Sequence, residues 1–245
     1  MQPTKYDANF FQNVEDGAKA SAQVVLPLVQ QLFPVRSIVD FGCGNGVWLK
    51  VWKALGAERV HGLDGSWVDL SAMRIDAAEF TSADLSQSVD LHQTFDLVQS
   101  LEVAEHIPSS SAEVFVDNLV RHGRQILFSA AVPGQLGVQH VNERPYAYWR
   151  DLFAKRNYVL LDAIRPAIRN SPAVEWWYRY NTFLYIEQSQ LPLLGTKTID
   201  SLIKESARIP DIAPWWCQAG RCLTRLLSVK GSTRVANWFL SRENR

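Results

Sequence analysis

Glu102, Glu105 and His106 crowd into five residues of the stretch SLEVAEHIP, Ser100 to Pro108. On a helical turn, positions i, i+3 and i+4 share a face, and these three side chains then stand together. Two carboxylates held that close repel, so a proton, a basic residue or a cation has to neutralise them. Carboxylate oxygens with an imidazole suit a divalent ion such as Mg, Mn, Fe or Zn. His140, in GVQHVNERPYAYW, is a candidate fourth ligand. A bound ion lowers the pKa of a coordinated hydroxyl and positions it. Without an ion, His106 or His140 can act as general base, worth about 10²–10⁴-fold in rate. Purely structural roles are the remaining alternative.

The elements that must position these groups follow from the apolar pattern. FDLV, from Phe95, reads as a buried strand whose exit carries the cluster. Further strands are expected at residues 37–41, 59–63, 79–82, 125–131, 158–164 and 182–186. Helices are expected at residues 18–33, 47–55, 113–120 and 144–156. Strands alternating with helices argue for a doubly wound α/β sheet, mostly parallel and covered on both faces.

In such sheets, ligands bind at the carboxyl ends of the strands. VDFGCGNG, Val39 to Gly46, follows the first strand; Gly42, Gly44 and Gly46 let backbone N–H groups approach a ligand beside a helix N-terminus. The spacing is GxGxG rather than the GxGxxG of dinucleotide binders. Asp64, after the second strand, is placed to accept both hydroxyls of a ribose. Asp84, after the third, is placed to accept from the amine of a base.

Together VDFGCGNG, GLDG, ADLS and FDLVQSLEVAEHIP resemble the motifs of class I S-adenosylmethionine-dependent methyltransferases, over roughly Tyr6 to Glu187. The resemblance implies an α/β, Rossmann-like sheet of seven strands in the order 3-2-1-4-5-7-6, the last antiparallel. It implies S-adenosyl-L-methionine as cofactor, with Asp40, Gly42, Cys43, Gly44 and Gly46 around its methionyl part. Asp64 and Gly65 would take the ribose, Asp84 and Leu85 the adenine, and Ser100 and Leu101 the floor near the sulfonium. A first helix with Tyr6, Phe10 and Ser21 would cover the cofactor. ExxEH with a later histidine resembles the metal-dependent O-methyltransferases of the ubiquinone pathway and of small-RNA 2′-hydroxyls. By that resemblance Glu102, Glu105, His106 and His140 hold a divalent metal.

The expected domains are a catalytic one over residues 1–188 and a helical C-terminal extension over 189–245. Lys and Arg number 25 and Asp and Glu 25, so no polyanion-binding surface is indicated and a nucleic-acid partner is disfavoured. Residues 191–245 nevertheless carry nine basic and four acidic side chains, interspersed with Trp215, Trp216, Leu223, Leu226, Leu227, Trp238, Phe239 and Leu240. Such an extension can cap the domain, make a homodimer or lie as a peripheral element on a membrane. Of the aromatic segments, Tyr146, Tyr148 and Trp149 fit a core, while one of the adjacent Trp176 and Trp177 is expected to line a cleft. Three cysteines without a CxxC pair point to reduced thiols. MQPTKYDANF lacks the features of a signal peptide, and a cytoplasmic location is expected. The reading is O-methylation of a small molecule or glycan. The alternatives are a metal-independent O- or N-methyltransferase and a non-catalytic cofactor-binding partner subunit.

Overall fold

The computed structural model describes the backbone of residues 8–226 and the side chains of residues 15–224. Tyr6, the side chain of Phe10 and the tail beyond Leu226 lie outside the described residues. The strands are β1 (Ser37–Phe41), β2 (Arg59–Asp64), β3 (Phe80–Ser82), β4 (Leu97–Leu101), β5 (Gln125–Ser129), β6 (Tyr158–Leu161), β7 (Phe183–Glu187) and β8 (Leu202–Ile203). They form one sheet in the order β3-β2-β1-β4-β5-β7-β6-β8, with β7 antiparallel to β5 and β6. The expected seven-stranded order is present, and β8 extends it by pairing antiparallel with β6. The extension is therefore not wholly helical. A two-residue edge strand has no periodicity to betray it, only a neighbour with an open edge.

The helices are α1 (Ala8–Leu32), α2 (Val47–Ala54), α3 (Ala112–His122), α4 (Tyr146–Ala154), α5 (Arg165–Ile168), α6 (Trp176–Asn181), α7 (Thr196–Ile199) and α8 (Trp215–Leu226). Ala22, Val25, Leu26 and Val29 of α1 are wholly buried, at the i, i+3, i+4, i+7 spacing that makes one apolar stripe. They pack with Leu49 and Trp52 of α2 against Ile38, Leu97 and Leu127 on one face of the sheet. On the other face, Phe115 and Leu119 of α3 and Trp149 and Phe153 of α4 cover Val39, Val98, Ile126 and Phe128. Successive strand residues thus feed opposite layers, as the period of two requires.

In the central strands, Asp40 stands level with Gly62 on β2 and with Gln99 on β4. The parallel β1, β2, β4 and β5 deliver their following loops to one edge. A buried arginine ties the extension to this frame. Arg165 clamps Asp162 with two hydrogen bonds of 2.6 and 2.8 Å, and it also donates to the carbonyls of Tyr180 and Pro210.

Candidate active site

The glycine loop leaves β1 at once. Gly42 has φ +87°, and its N–H and that of Cys43 donate to the Leu63 carbonyl at 2.7 and 3.1 Å. A Cβ on Gly42 would come within 2.3 Å of Val103, so both the dihedral and the space demand glycine. Asp64 closes the loop from β2: its carboxylate accepts from Gly44 N at 2.8 Å and from Gly65 N at 2.7 Å. Asp40 is buried beneath, held by the Gln99 amide at 2.8 Å, while Gln99 accepts from the Trp52 indole at 3.1 Å. Burial pushes the Asp40 carboxyl up to about 8, the charge of Asp64 adds to this, and the Gln99 hydrogen bond opposes it. Burial, and then Asp40 and Asp64, also raise the Cys43 thiol, which makes it a packing group and not a nucleophile.

Asp84 is exposed after β3 and accepts from both the N–H and the hydroxyl of Ser86, which hold its carboxyl below the ordinary range. Leu85 beside it is buried. Ser100 and Leu101 end β4, and the Ser100 hydroxyl donates to the Phe41 carbonyl at 2.9 Å. Asp40 and the glycine loop, Asp64, Asp84 with Leu85, and Ser100 with Leu101 thus lie at or just after the carboxyl ends of four parallel strands, along one edge of the sheet.

The next segment differs from expectation. Residues 102–106 do not form a helical turn presenting i, i+3 and i+4 on one face. Glu102 adopts φ +56°, and its N–H donates to the carbonyl and hydroxyl of Ser129, both at 3.0 Å. That contact prolongs the β4–β5 edge, so a tight turn follows instead, with His106 N donating to Val103 O at 2.9 Å. The loop after β5 returns to this turn, where Val141 and Asn142 N–H groups both donate to the Glu105 carbonyl at 2.9 Å. That pegging is what brings His140 to the cluster.

Glu105, His106 and His140 each offer a ligand atom, and these atoms lie within 4.8 Å of one another. The two imidazoles meet edge to face at 4.9 Å between centroids, and His140 Nε2 is 4.0 Å from Glu105 Oε1. The Glu105 residue is wholly buried, and neither carboxyl oxygen has a hydrogen-bond partner. Burial first, and Glu102 second, raise its carboxyl well above the usual range. The backbone amides of Glu105 and Ala131 offset this in part without making a hydrogen bond of good geometry. His106 is lowered by burial and by His140, and its Nδ1 faces the Gln139 carbonyl at 3.3 Å.

Glu102 stands beside this trio rather than in it. Its oxygens accept from Gln135 at 2.9 Å and Asn181 at 3.3 Å, and Asn181 also donates to Gln135 at 2.9 Å. Burial raises the Glu102 carboxyl, and these donors oppose it. Gln135, Asn181 and Glu143 escaped the sequence reading. Amides carry no spacing signal, and Glu143 follows His140 by three residues, a pattern equally common on any turn.

The family model described as a methyltransferase domain matches residues 14–129. No curated protein matches the chain in sequence. Among solved structures, the sugar N-methyltransferase KedS8 from Streptoalloteichus sp ATCC 53650 is 16% identical, with a TM-score of 0.58 over 77% of this chain and 97% of that one. Magnesium protoporphyrin IX methyltransferase from Synechocystis PCC 6803, with bound SAH, is 18% identical, with a TM-score of 0.52 over 74% and 88%. Phosphoethanolamine N-methyltransferase 1 from Haemonchus contortus, in complex with phosphoethanolamine and S-adenosylhomocysteine, is 15% identical, with a TM-score of 0.51 over 74% and 46%. At these identities the likeness is one of fold.

Proposed function

We propose that the chain is an S-adenosylmethionine-dependent methyltransferase, a reading supported by the methyltransferase-domain match over residues 14–129, and that it methylates a hydroxyl oxygen of a small molecule or glycan with the help of a divalent ion held by Glu105, His106 and His140. One observation carries this reading: Glu105 is a wholly buried carboxyl whose two oxygens have no hydrogen-bond partner, with two imidazoles turned to it. Burying an unpaired carboxyl is expensive, and a cation supplies the missing compensation. The donor set, one carboxylate and two imidazoles, fits Mg, Mn, Fe or Zn. When bound, such an ion lowers the pKa of an acceptor hydroxyl and fixes its oxygen.

The chain's own residues supply the rest. Asp64 and the glycine loop orient the cofactor, and Asp84 with Leu85 flanks its base. Ser100 and Leu101 floor the transfer site. Glu102, fixed by Gln135 and Asn181, is placed to accept a hydrogen bond from the acceptor beside the cluster. Since the methyl sulfonium is already electrophilic, proximity and a deprotonated oxygen are the main requirements. Val138 and Val141 are exposed on either side of His140 and suit a carbon skeleton at the rim. The balance of 25 basic and 25 acidic residues favours such an acceptor over a polyanion.

A second reading has one observation in its favour. His140 Nδ1 lies 2.9 Å from the Glu143 carboxylate, the pairing of a general base with its orienting group. In that case the enzyme is a metal-independent O- or N-methyltransferase with His140, or His106, as base. Incubation with labelled cofactor and a panel of sugars, polyols, phenols and amines tests both, with products located by mass spectrometry and NMR. An O-methyl product lost in Glu105→Gln is expected. An N-methyl product, or an unimpaired Glu105→Gln enzyme, contradicts the metal-assisted reading.

A further inference from the structure

We infer that Glu143 is a positioning residue that holds His140 in its Nδ1–H form and turns Nε2 toward Glu105. The consequence for ion binding rests on the reading given above, whereas the tautomer does not. The Glu143 side chain is 16% exposed and gathers three donors from its own loop. Oε2 accepts from Gly134 N at 2.7 Å, and Oε1 accepts from Leu136 N at 2.8 Å and meets His140 Nδ1 at 2.9 Å. A carboxylate that serves as acceptor to two backbone N–H groups can take only a donor from the imidazole, so Nδ1 carries the hydrogen. In the neutral ring this leaves the lone pair on Nε2, 4.0 Å from Glu105 Oε1.

The loop presses the ring from a second side. A Cβ on Gly137 would come within 2.1 Å of His140 Nε2, so the backbone passes against the imidazole and any side chain there would displace the ring. Two backbone N–H groups peg the far end of the loop to the Glu105 carbonyl. His140 is thus aimed by a carboxylate behind it, a glycine against it and an anchor after it. Outer carboxylates that orient a ligating histidine are worth about 10–100-fold in metal affinity.

The test uses the full chain, its variants Glu143→Gln, His140→Ala and the double variant, and zinc alone as probe. Nitrogen-15 NMR of the histidine rings, with His140 assigned by its variant, should show Nδ1–H in the wild type. It should show a shift toward Nε2–H in Glu143→Gln, where an amide N–H₂ can face the ring. Zinc affinity by calorimetry should fall about 10–100-fold in Glu143→Gln and fall no further when that change is added to His140→Ala. S-adenosylhomocysteine affinity should be unchanged. An Nε2–H ring in the wild type overturns the inference, and that measurement needs no variant to fold. Equal loss of zinc affinity with and without His140 also overturns it, since Glu143 would then act on the loop alone. If zinc fails to bind the wild type while the ring shows the expected tautomer and response, the metal-assisted reading falls and the positioning role stands.

Discussion

Asp40 and Glu105 are both buried acids, and their surroundings separate their roles. Asp40 has a hydrogen-bond donor in Gln99, whereas Glu105 has none. Asp40 makes a prediction about pH. Its folded-state value of about 8 exceeds the unfolded value of about 3.9, so the folded state binds this proton more tightly. Its contribution to stability is present below pH ~4 and is lost as pH rises through about 8. Glu102 and Glu105 are raised as well and add a loss of the same sign. Asp40→Asn should therefore flatten, but not abolish, the fall in melting temperature of the cofactor-free protein between pH 5 and 8. An unchanged pH profile would place the proton elsewhere. Glu105→Gln should remove ion binding yet leave S-adenosylhomocysteine affinity within about threefold by calorimetry. Asp64→Asn should do the reverse, because Asp64 closes the glycine loop and no ligand atom of the cluster belongs to it.

Among the elements, the β5–α4 loop turns a sheet edge into a site. Gly137→Ala should push the His140 ring aside and lower zinc affinity at least tenfold while leaving the melting temperature within a few degrees, since the clash is with a side chain at the surface of the cleft. Gly134 meets a different neighbour. A Cβ there would lie 2.4 Å from the Arg221 carbonyl, at φ +84°, and the Gly134 carbonyl accepts from the Thr224 hydroxyl at 2.8 Å. Gly134→Ala should lift α8, read as faster amide exchange across residues 215–224. In α2, Trp52→Ala should cost about 3–5 kcal/mol through the cavity and also free Gln99 from its indole donor. These elements differ in how far the chain announced them. VDFGCGNG and Asp64 were legible because glycine dihedrals and strand-end carboxylates leave local signatures. The grouping of Glu102, Glu105 and His106 that a helical turn would make does not form, because Glu102 adopts φ +56° with its N–H held by Ser129, 27 residues away. No local pattern carries that contact.

For the whole molecule, a doubly wound sheet covered on both faces followed from strand and helix alternation, whereas the strand order followed from the resemblance of the motifs to class I methyltransferases. What stayed illegible depends on long-range closure: the β8 edge, the Arg165 clamp on Pro210, and the Gln135–Asn181 cradle for Glu102. Among the described residues no helix is long and apolar enough to cross a membrane. In the proposed reaction, a buried glutamate without a hydrogen-bond partner and two histidines hold an ion that methyl transfer requires. The decisive experiment is an assay of methyl transfer after exhaustive chelation, with metal content measured on the same sample. Activity should be lost on chelation and restored by one equivalent of a divalent ion; full activity in metal-free enzyme would rule the ion out.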